Sequence, residues 1–301
     1  NNWDVNSTTE NYTRLDSAAA TTLDFSFYNI ASASFVDSFS VSAQEGNPFG
    51  ITFNTEGTKM FIVGNTGDDV NEYALSTAFD VSTASFVTNF FVNLQESTPT
   101  GIAFNANGTK MFVVGYGGDE VNEYTLSTGF SISTASYSQT FSVSSQDTQP
   151  EDIAFNTDGT KMFIVGNIGD AVYEYTLSTG FDVSTASYTQ SFSVATQETA
   201  PTGLAFSADG KSMFIVGSGS DTVYKYALST SFDISTASLD SSFNVFAQES
   251  VPSAIAFNAD GSKMFVLGNI GDAVYQYTTP PSLALGTGSF ASADVGKTIE
   301  A

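Results

Sequence analysis

Apolar and polar positions follow one pattern in this chain, and the pattern recurs every 51 residues from about residue 35 to residue 278. Its most regular part is an apolar run that begins with Lys-Met-Phe in four copies and with Ser-Met-Phe in one. The runs start at Lys59, Lys110, Lys161, Ser212 and Lys263. No insertion or deletion interrupts the step, so the chain is a tandem array of one structural unit.

Each unit contains four short segments with the pattern of β-strands. In the third unit, residues 152–155 and 162–165 are mostly apolar, as expected of strands that are covered on both faces. Residues 172–177 and 188–194 mix apolar and polar positions, which is typical of strands with one wetter face. Turn sequences rich in Asn, Asp and Gly separate the first three strands. Four strands per repeat predict one blade of a β-propeller.

Counting the strands predicts how the ring closes. The first three strands occur five times, but complete fourth strands follow only the first four copies, and residues 35–41 keep the register of the missing one. We therefore predict an all-β fold, a five-bladed β-propeller of 51-residue four-stranded blades over residues 34–278. The N-terminal strand should pair with residues 274–278 and close the ring. Residues 1–33 are predicted to form an extension or linker, and residues 279–301 a tail that leads into another module.

Large aromatic side chains recur at two positions of the unit and are predicted to fill the wedges between blades. They are Phe61, Phe112, Phe163, Phe214 and Phe265, and Tyr73, Tyr124, Tyr175, Tyr226 and Tyr277. The repeated lysines that begin the second strands are expected to be solvated.

Composition excludes several classes of function. The net charge is −24, and the sequence has no cysteine and no histidine. Nucleic-acid binding requires clustered Lys and Arg, and an anionic membrane surface would repel this chain. Thiol nucleophiles, Cys/His zinc sites and His-based triads are excluded. No apolar run approaches the ~18 residues of a membrane span, so we predict no membrane insertion. The acidity is consistent with a salty external medium and equally with solubility alone.

Two sets of carboxylates recur in loops that should share one face of the ring. The loop after the fourth strand contributes a candidate ligand-binding rim, and the turn between the second and third strands contributes candidate metal ligands. The rim is Glu45, Glu96, Asp147, Glu198 and Glu249; the turn set is Asp68, Asp119, Asp170, Asp221 and Asp272. The turn set is explained by Asp bonding to backbone N–H groups. For the rim, solvated surface, hard-cation binding and ligand contact remain open, with Ca²⁺ as the candidate cation and no cofactor required.

The repeat resembles a known family. The Asp-Gly turn, the run Lys-Met-Phe-Ile-Val-Gly and the motif Gly-Asp-x-Val-x-x-Tyr are similar to the Tyr-Val-Thr-Asn (YVTN) family of propeller repeats. That resemblance covers all five units and implies a propeller, and members of the family include surface-layer proteins, exported proteins and lactonase-like enzymes. The present chain departs from it in its longer repeat and its blade number. The tail at 288–299 resembles a segment of phage tail-fibre and other virion-surface proteins.

These observations support two hypotheses for function. The first is a non-enzymatic binding or structural module, extracellular or on a cell or virion surface, whose partners are a surface glycan or neighbouring structural subunits. Five weak equivalent sites would gain avidity on a repetitive target. The alternative is a hydrolase or lactonase-like enzyme that uses axial carboxylates. We favour the first, because an active site should break the repeat and the odd positions noted, Tyr116, Ser212, Lys225 and Phe246, form no catalytic constellation. A single cluster of strongly perturbed carboxylates in one cleft would favour the second.

Overall fold

The computed structural model describes residues 28–281 in full, together with the backbone of 3–6, 11–14, 22–26 and 282–284. The first four strands are β1 (Trp3–Asn6), β2 (Asn11–Arg14), β3 (Thr22–Ser26) and β4 (Ser34–Ser40). Strands β1, β2 and β3 form an antiparallel sheet with β24 (Ser282–Ala284) in the order β1-β2-β3-β24. The predicted tail segment 288–299 lies outside the described residues.

The repeat forms five antiparallel sheets of four strands, as predicted. Blade 1 is β5 (Pro48–Phe53), β6 (Lys59–Gly64), β7 (Asp69–Leu75) and β8 (Ala84–Phe91). Blade 2 is β9 (Pro99–Phe104), β10 (Lys110–Gly115), β11 (Glu120–Leu126) and β12 (Ala135–Ser142). Blade 3 is β13 (Pro150–Phe155), β14 (Lys161–Gly166), β15 (Ala171–Leu177) and β16 (Ala186–Ser193). Blade 4 is β17 (Pro201–Phe206), β18 (Ser212–Gly217), β19 (Thr222–Leu228) and β20 (Ala237–Asn244). Blade 5 is β21 (Pro252–Phe257), β22 (Lys263–Gly268), β23 (Ala273–Thr278) and β4.

The prediction of ring closure is confirmed. Strand β4 pairs antiparallel with β23, with Phe39 opposite Val274 and Phe35 opposite Tyr277. The first strands of the blades contact one another around the ring, β5 with β9, β9 with β13, β13 with β17, β17 with β21, and β21 with β5. These five strands therefore surround the axis. The closing segment also begins earlier than predicted, because Tyr28 occupies the place of Phe79, Phe130, Phe181 and Phe232 in the other blades.

A short 3-10 helix precedes the fourth strand of each blade. These helices are Ile30–Ser32, Val81–Thr83, Ile132–Thr134, Val183–Thr185 and Ile234–Thr236. In three of them an Asp side chain accepts a hydrogen bond from the backbone two residues later, as Asp80 does from Ser82. None of the helices in the described ranges is long and apolar enough to cross a membrane.

The core lies between the blades, and the recurring aromatic residues fill it as predicted. Every member of the Phe set and the Tyr set is at most 1% exposed. Phe61 packs against Phe104 of the next blade with ring centroids 4.7 Å apart, and the same contact recurs around the ring. Fully buried rings contribute about 1.5–3 kcal/mol each relative to exposure, so the blade interfaces hold much of the stability.

The repeated lysines are half-buried rather than simply solvated. The amino group of Lys110 lies 2.7 Å from a carboxylate oxygen of Glu123 and donates to the carbonyl of Phe181 in the next blade. Lys59 and Lys161 make the same pairs with Glu72 and Glu174. Each lysine therefore connects two blades.

Candidate active site

The predicted rim carboxylates lie in the loops that precede each first strand, on the face that also carries the turns between second and third strands. We call this the upper face. All five are at most 4% exposed. In Glu96, Oε1 accepts from the backbone N–H groups of Thr98 and Gly117, both at 2.8 Å, and Oε2 accepts from Gly118 at 3.2 Å. Each rim carboxylate therefore joins the two upper loops of its blade. These hydrogen bonds give the rim carboxylates a structural role. Ligand binding by the rim stays a prediction.

Electrostatics at Glu96 reflect this burial. Desolvation raises the pKa of its carboxyl, the three backbone N–H groups oppose that effect, and the charge of Glu120 adds to it. A buried carboxylate is costly unless hydrogen-bonded, so the backbone donors make the arrangement stable.

The predicted metal ligands, one Asp in each blade, lie at the end of the turn between the second and third strands. Each of these five Asp residues has a positive φ, between 43° and 54°, a conformation that Asp adopts more readily than most residues. In Asp119, Asp221 and Asp272 one carboxylate oxygen is buried without a hydrogen-bond partner. Burial raises the pKa of Asp119, Asp170 and Asp221, with further contributions from nearby rim carboxylates. Within the described ranges no three His, Cys, Asp or Glu residues are grouped as metal ligands, and Ca²⁺ binding stays a prediction.

Two adjacent acidic residues break the five-fold repeat, and the sequence analysis did not single them out. They are Glu151 and Asp152, on the innermost strand of blade 3. The positions equivalent to Glu151 hold Phe49, Thr100, Thr202 and Ser253, and those equivalent to Asp152 hold Gly50, Gly101, Gly203 and Ala254. The two carboxyl side chains are only 5% and 6% exposed. A buried carboxyl pair present in one blade breaks the repeat, as the enzyme hypothesis expects of an active site.

Glu151 belongs to the upper end of the axis. The register between β13 and β14 shifts between Pro150 and Asp152, so Glu151 is the extra residue of a β-bulge. The same register shift occurs in the other four blades, so the bulge belongs to the repeat and does not by itself mark a functional site. Desolvation raises the pKa of Glu151 to about 7. A hydrogen bond from Asn167 opposes this rise, and the negative charge of Asp147 adds to it. A carboxyl group with this pKa exchanges protons near neutral pH.

Among the four departures from the repeat named in the sequence analysis, Tyr116 lies near this carboxyl pair. Burial raises the pKa of its phenol, and the charges of Glu151 and Glu96 raise it further. The phenol is therefore protonated at neutral pH and can donate a hydrogen bond. The other three departures lie elsewhere: Ser212 begins β18, Lys225 forms an ion pair with Asp240 at 3.1 Å, and Phe246 is exposed.

Asp152 lies deeper, among the residues that line the axis. Its Oδ1 accepts from the N–H of Ile153 at 2.8 Å, and its Oδ2 accepts from the N–H of Leu204 in blade 4 at 2.9 Å. Desolvation nevertheless raises the pKa of this carboxyl to about 8, and the Glu151 charge contributes. The flanking glycine Gly101 provides room, since a Cβ there would lie 2.7 Å from the Asp152 Cα.

Comparisons with known proteins identify the family. Residues 12–286 match the family described as "Lactonase, 7-bladed beta-propeller". The chain belongs to this family. Its own ring has five blades, so it departs from the blade number in the family's description. The match supports a propeller protein without distinguishing the YVTN type, and it gives no support to the tail-fibre resemblance.

Several solved structures resemble the chain in part. A putative 6-phosphogluconolactonase from Bacteroides uniformis is 12% identical over 76% of this chain and 65% of its own, with a TM-score of 0.47. A functionally unknown protein from Desulfotomaculum acetoxidans is 13% identical over 79% and 68%, with a TM-score of 0.47. The Cps50 (Swd1) β-propeller domain from Myceliophteria thermophila is 9% identical over 82% and 100%, with a TM-score of 0.48. Likenesses at this level say nothing about what the chain binds or does. No curated protein matches the sequence.

Family membership corrects the favoured hypothesis on function. The expectation of a non-enzymatic surface module is wrong, because the chain belongs to a lactonase family, and that finding supports the alternative of a lactonase-like enzyme. Nothing found supports the virion, tail-fibre or glycan-binding descriptions. An extracellular or surface location, the predicted partners, and the absence of nucleic-acid binding and membrane insertion stay predictions.

Proposed function

We propose that this protein hydrolyses lactones at the upper end of its axis, with Glu151 as the general base. The observation that carries the proposal is the single acidic break in an otherwise repeated axial lining. Equivalent positions in the other four blades hold no acidic residue. Five-fold repetition of structure explains the rim, but it does not explain a pair of buried carboxyls present in one blade.

The proposed chemistry uses the protonation state of Glu151. With a pKa of about 7, the carboxylate is available as a base at neutral pH and is basic enough to take a proton from water. The water oxygen bonds to the lactone carbonyl carbon while its proton passes to Glu151. Collapse of the tetrahedral intermediate breaks the ring C–O bond, and the proton returns to the alkoxide oxygen. The product is the open hydroxy acid.

Hydrogen-bond donors near Glu151 can stabilise the negative charge that develops on the substrate's carbonyl oxygen. The neutral Tyr116 phenol and the Asn167 amide are near Glu151. Hydrogen bonds aimed at a developing oxyanion typically lower the barrier by about 3–4 kcal/mol. In this proposal they orient the substrate carbonyl above the carboxylate.

The test is acid release in a pH-stat with γ-butyrolactone, δ-valerolactone and δ-gluconolactone. We expect hydrolysis above the uncatalysed rate on at least one of them, with kcat/KM rising with pH through about 7. Glu151→Gln should lower kcat about 10²–10⁴-fold and remove that pH limb. Glu151→Thr is a second variant matched to blades 2 and 4. The control is Glu56→Gln, an exposed acid in a lower turn, which should keep full activity.

Two results would overturn the proposal. One is a wild-type rate equal to background on every lactone while the protein is folded. The other is a hydrolysis rate in Glu151→Gln equal to that of the wild type.

A further inference from the structure

A second candidate site lies at the opposite end of the axis. A cavity of about 260 Å³ is lined by the lower halves of the innermost strands and opens away from the upper face. Most of its lining residues are apolar, among them Ile102, Phe104, Phe206 and Phe257, and Tyr28 also lines it. Cavities of about 150 Å³ already hold a benzene molecule, so this one has room for a small organic ligand.

The cavity contains one carboxyl group. Asp152 is among its lining residues and is 6% exposed. Two backbone N–H groups bind its oxygens, each oxygen keeps a further lone pair, and no lysine or arginine in the fully described range pairs with it. A buried anion without a counter-ion is strongly disfavoured in apolar surroundings. This carboxyl is therefore neutralised in one of two ways, by a bound proton or by a bound cation.

We propose that the cavity binds a small primary ammonium ion, with its NH₃⁺ group at the Asp152 carboxylate and its alkyl part among the apolar and aromatic side chains. An ammonium group supplies three donors for the spare lone pairs, and phenyl faces attract cations at close range. The net charge of −24 favours the approach of cations over anions. The carboxyl end of this site adjoins the proposed lactone site, because Asp152 follows Glu151 on β13, but ammonium binding does not depend on lactone hydrolysis.

Few charged groups face Asp152. Glu151 adjoins it on β13, and its charge raises the Asp152 pKa. The lining residues from the neighbouring strands β9 and β17 are apolar, and Tyr28 is the other titratable residue of the lining. Burial raises the pKa of Tyr28, so this phenol is neutral at pH 6–9. Ammonium binding must therefore displace the proton that Asp152 carries at neutral pH.

The experiment is calorimetric titration of the whole chain with n-butylammonium chloride, in buffers of different ionisation enthalpy and matched ionic strength. From a carboxyl pKa of about 8, binding should release about 0.9 proton per ligand at pH 7, and affinity should rise about 50-fold from pH 6 to pH 8. The neutral analogue 1-butanol should bind at least tenfold more weakly at pH 8 and release no proton.

Variants locate the site. Asp152→Gly, which places in blade 3 the residue found in blades 1, 2 and 4, and Asp152→Asn should each weaken butylammonium binding at least tenfold. Asp158→Asn, at an exposed lower turn, is the control and should bind as the wild type does. Binding without proton release, equal binding of 1-butanol, or unchanged binding by both Asp152 variants would overturn the proposal. So would the absence of binding by the folded wild type at pH 8. None of these outcomes bears on lactone hydrolysis by Glu151.

Discussion

The buried Asp152 carboxyl makes a sharp prediction about stability and pH. Its folded pKa of about 8 lies above the 3.8 of a free Asp, so the folded protein holds a proton that the unfolded chain has lost. The stabilisation from this group is complete below about pH 4 and is lost as pH rises through about 8. Each tenfold difference in proton affinity between the folded and unfolded states corresponds to about 1.4 kcal/mol, so these two pKa values set an upper bound of about 6 kcal/mol. About 4 kcal/mol of this loss should fall between pH 5 and pH 9, where the folded carboxyl releases its proton.

The perturbation that isolates this effect is Asp152→Gly, because glycine occupies the same position in three other blades. The free energy of unfolding should be measured by denaturant titration of both proteins from pH 5 to pH 9. The wild-type value minus the variant value should fall by up to about 1.4 kcal/mol per pH unit between pH 5 and 7 and level off above 8. The general effect of the net charge of −24 is nearly common to both proteins and largely cancels in this difference.

Asp158 is a matched control, because its pKa is shifted in the opposite direction. Hydrogen bonds from Thr160 lower the pKa of Asp158, so this Asp is ionised in both states throughout the range. Asp158→Asn should therefore show a pH profile parallel to that of the wild type between pH 5 and 9. Parallel profiles for wild type and Asp152→Gly would refute the argument that an uncompensated carboxyl lies in the axis.

Three further predictions concern the ring and its upper face. Glu96→Gln, which places an amide N–H opposite the Gly118 N–H, should lower the free energy of unfolding by about 1–3 kcal/mol in denaturant titration, and an unchanged midpoint would contradict the described bonding. Deleting residues 1–42 removes β4 and exposes the edge of β23, so the melting temperature should fall and self-association should appear in light scattering; retained thermal stability would contradict ring closure by β4. Millimolar Ca²⁺ should raise the melting temperature modestly above that in a monovalent salt of equal ionic strength, and equal melting temperatures would dismiss a specific metal role for the rim and turn carboxylates.

The sequence was sufficient for the fold because the repeat has no insertions. Its 51-residue step places residues 35–41 in the register of a fourth strand, and β4 does pair with β23. The apolar second strands and the recurring rings were predicted as core and are buried. Local pattern and global architecture agree here, and such agreement makes prediction reliable.

The state of the carboxylates could not be predicted in the same way. The rim set was considered as solvated surface, cation ligands or ligand contacts, whereas the structure turns these groups inward onto backbone N–H groups of the upper turns. The backbone path of a turn decides which of its N–H groups can donate to a side chain. That path cannot be predicted from composition. The pairing of Lys110 with Glu123 likewise depends on blade-to-blade geometry.

The acidic pair was visible in the sequence but was not singled out. Residue 152 falls in the first strand of the third unit, and the apolar pattern of that strand alone does not mark it or Glu151 as a departure from the repeat. Aligning the five first strands shows both departures at once, because acids replace small, hydroxyl or aromatic residues at two adjacent positions. Their effect on pKa is a tertiary property, since it arises from desolvation at the axis.

Steric constraints limit how many blades can carry a side chain at the layer of Asp152. At the layer of Asp152, a Cβ on Gly101 would lie 2.7 Å from the next blade's Cα, and a Cβ on Gly203 would lie 2.7 Å from the Cα of Ala254. Both residues that do carry a side chain in this layer, Asp152 and Ala254, are followed by glycine in the next blade around the ring. A five-bladed ring thus leaves little room at its axis, and a carboxyl group there requires glycine neighbours. The glycines of the repeat, which look like simple consequences of close strand packing, are also what allows one blade to place an acid where the other four cannot.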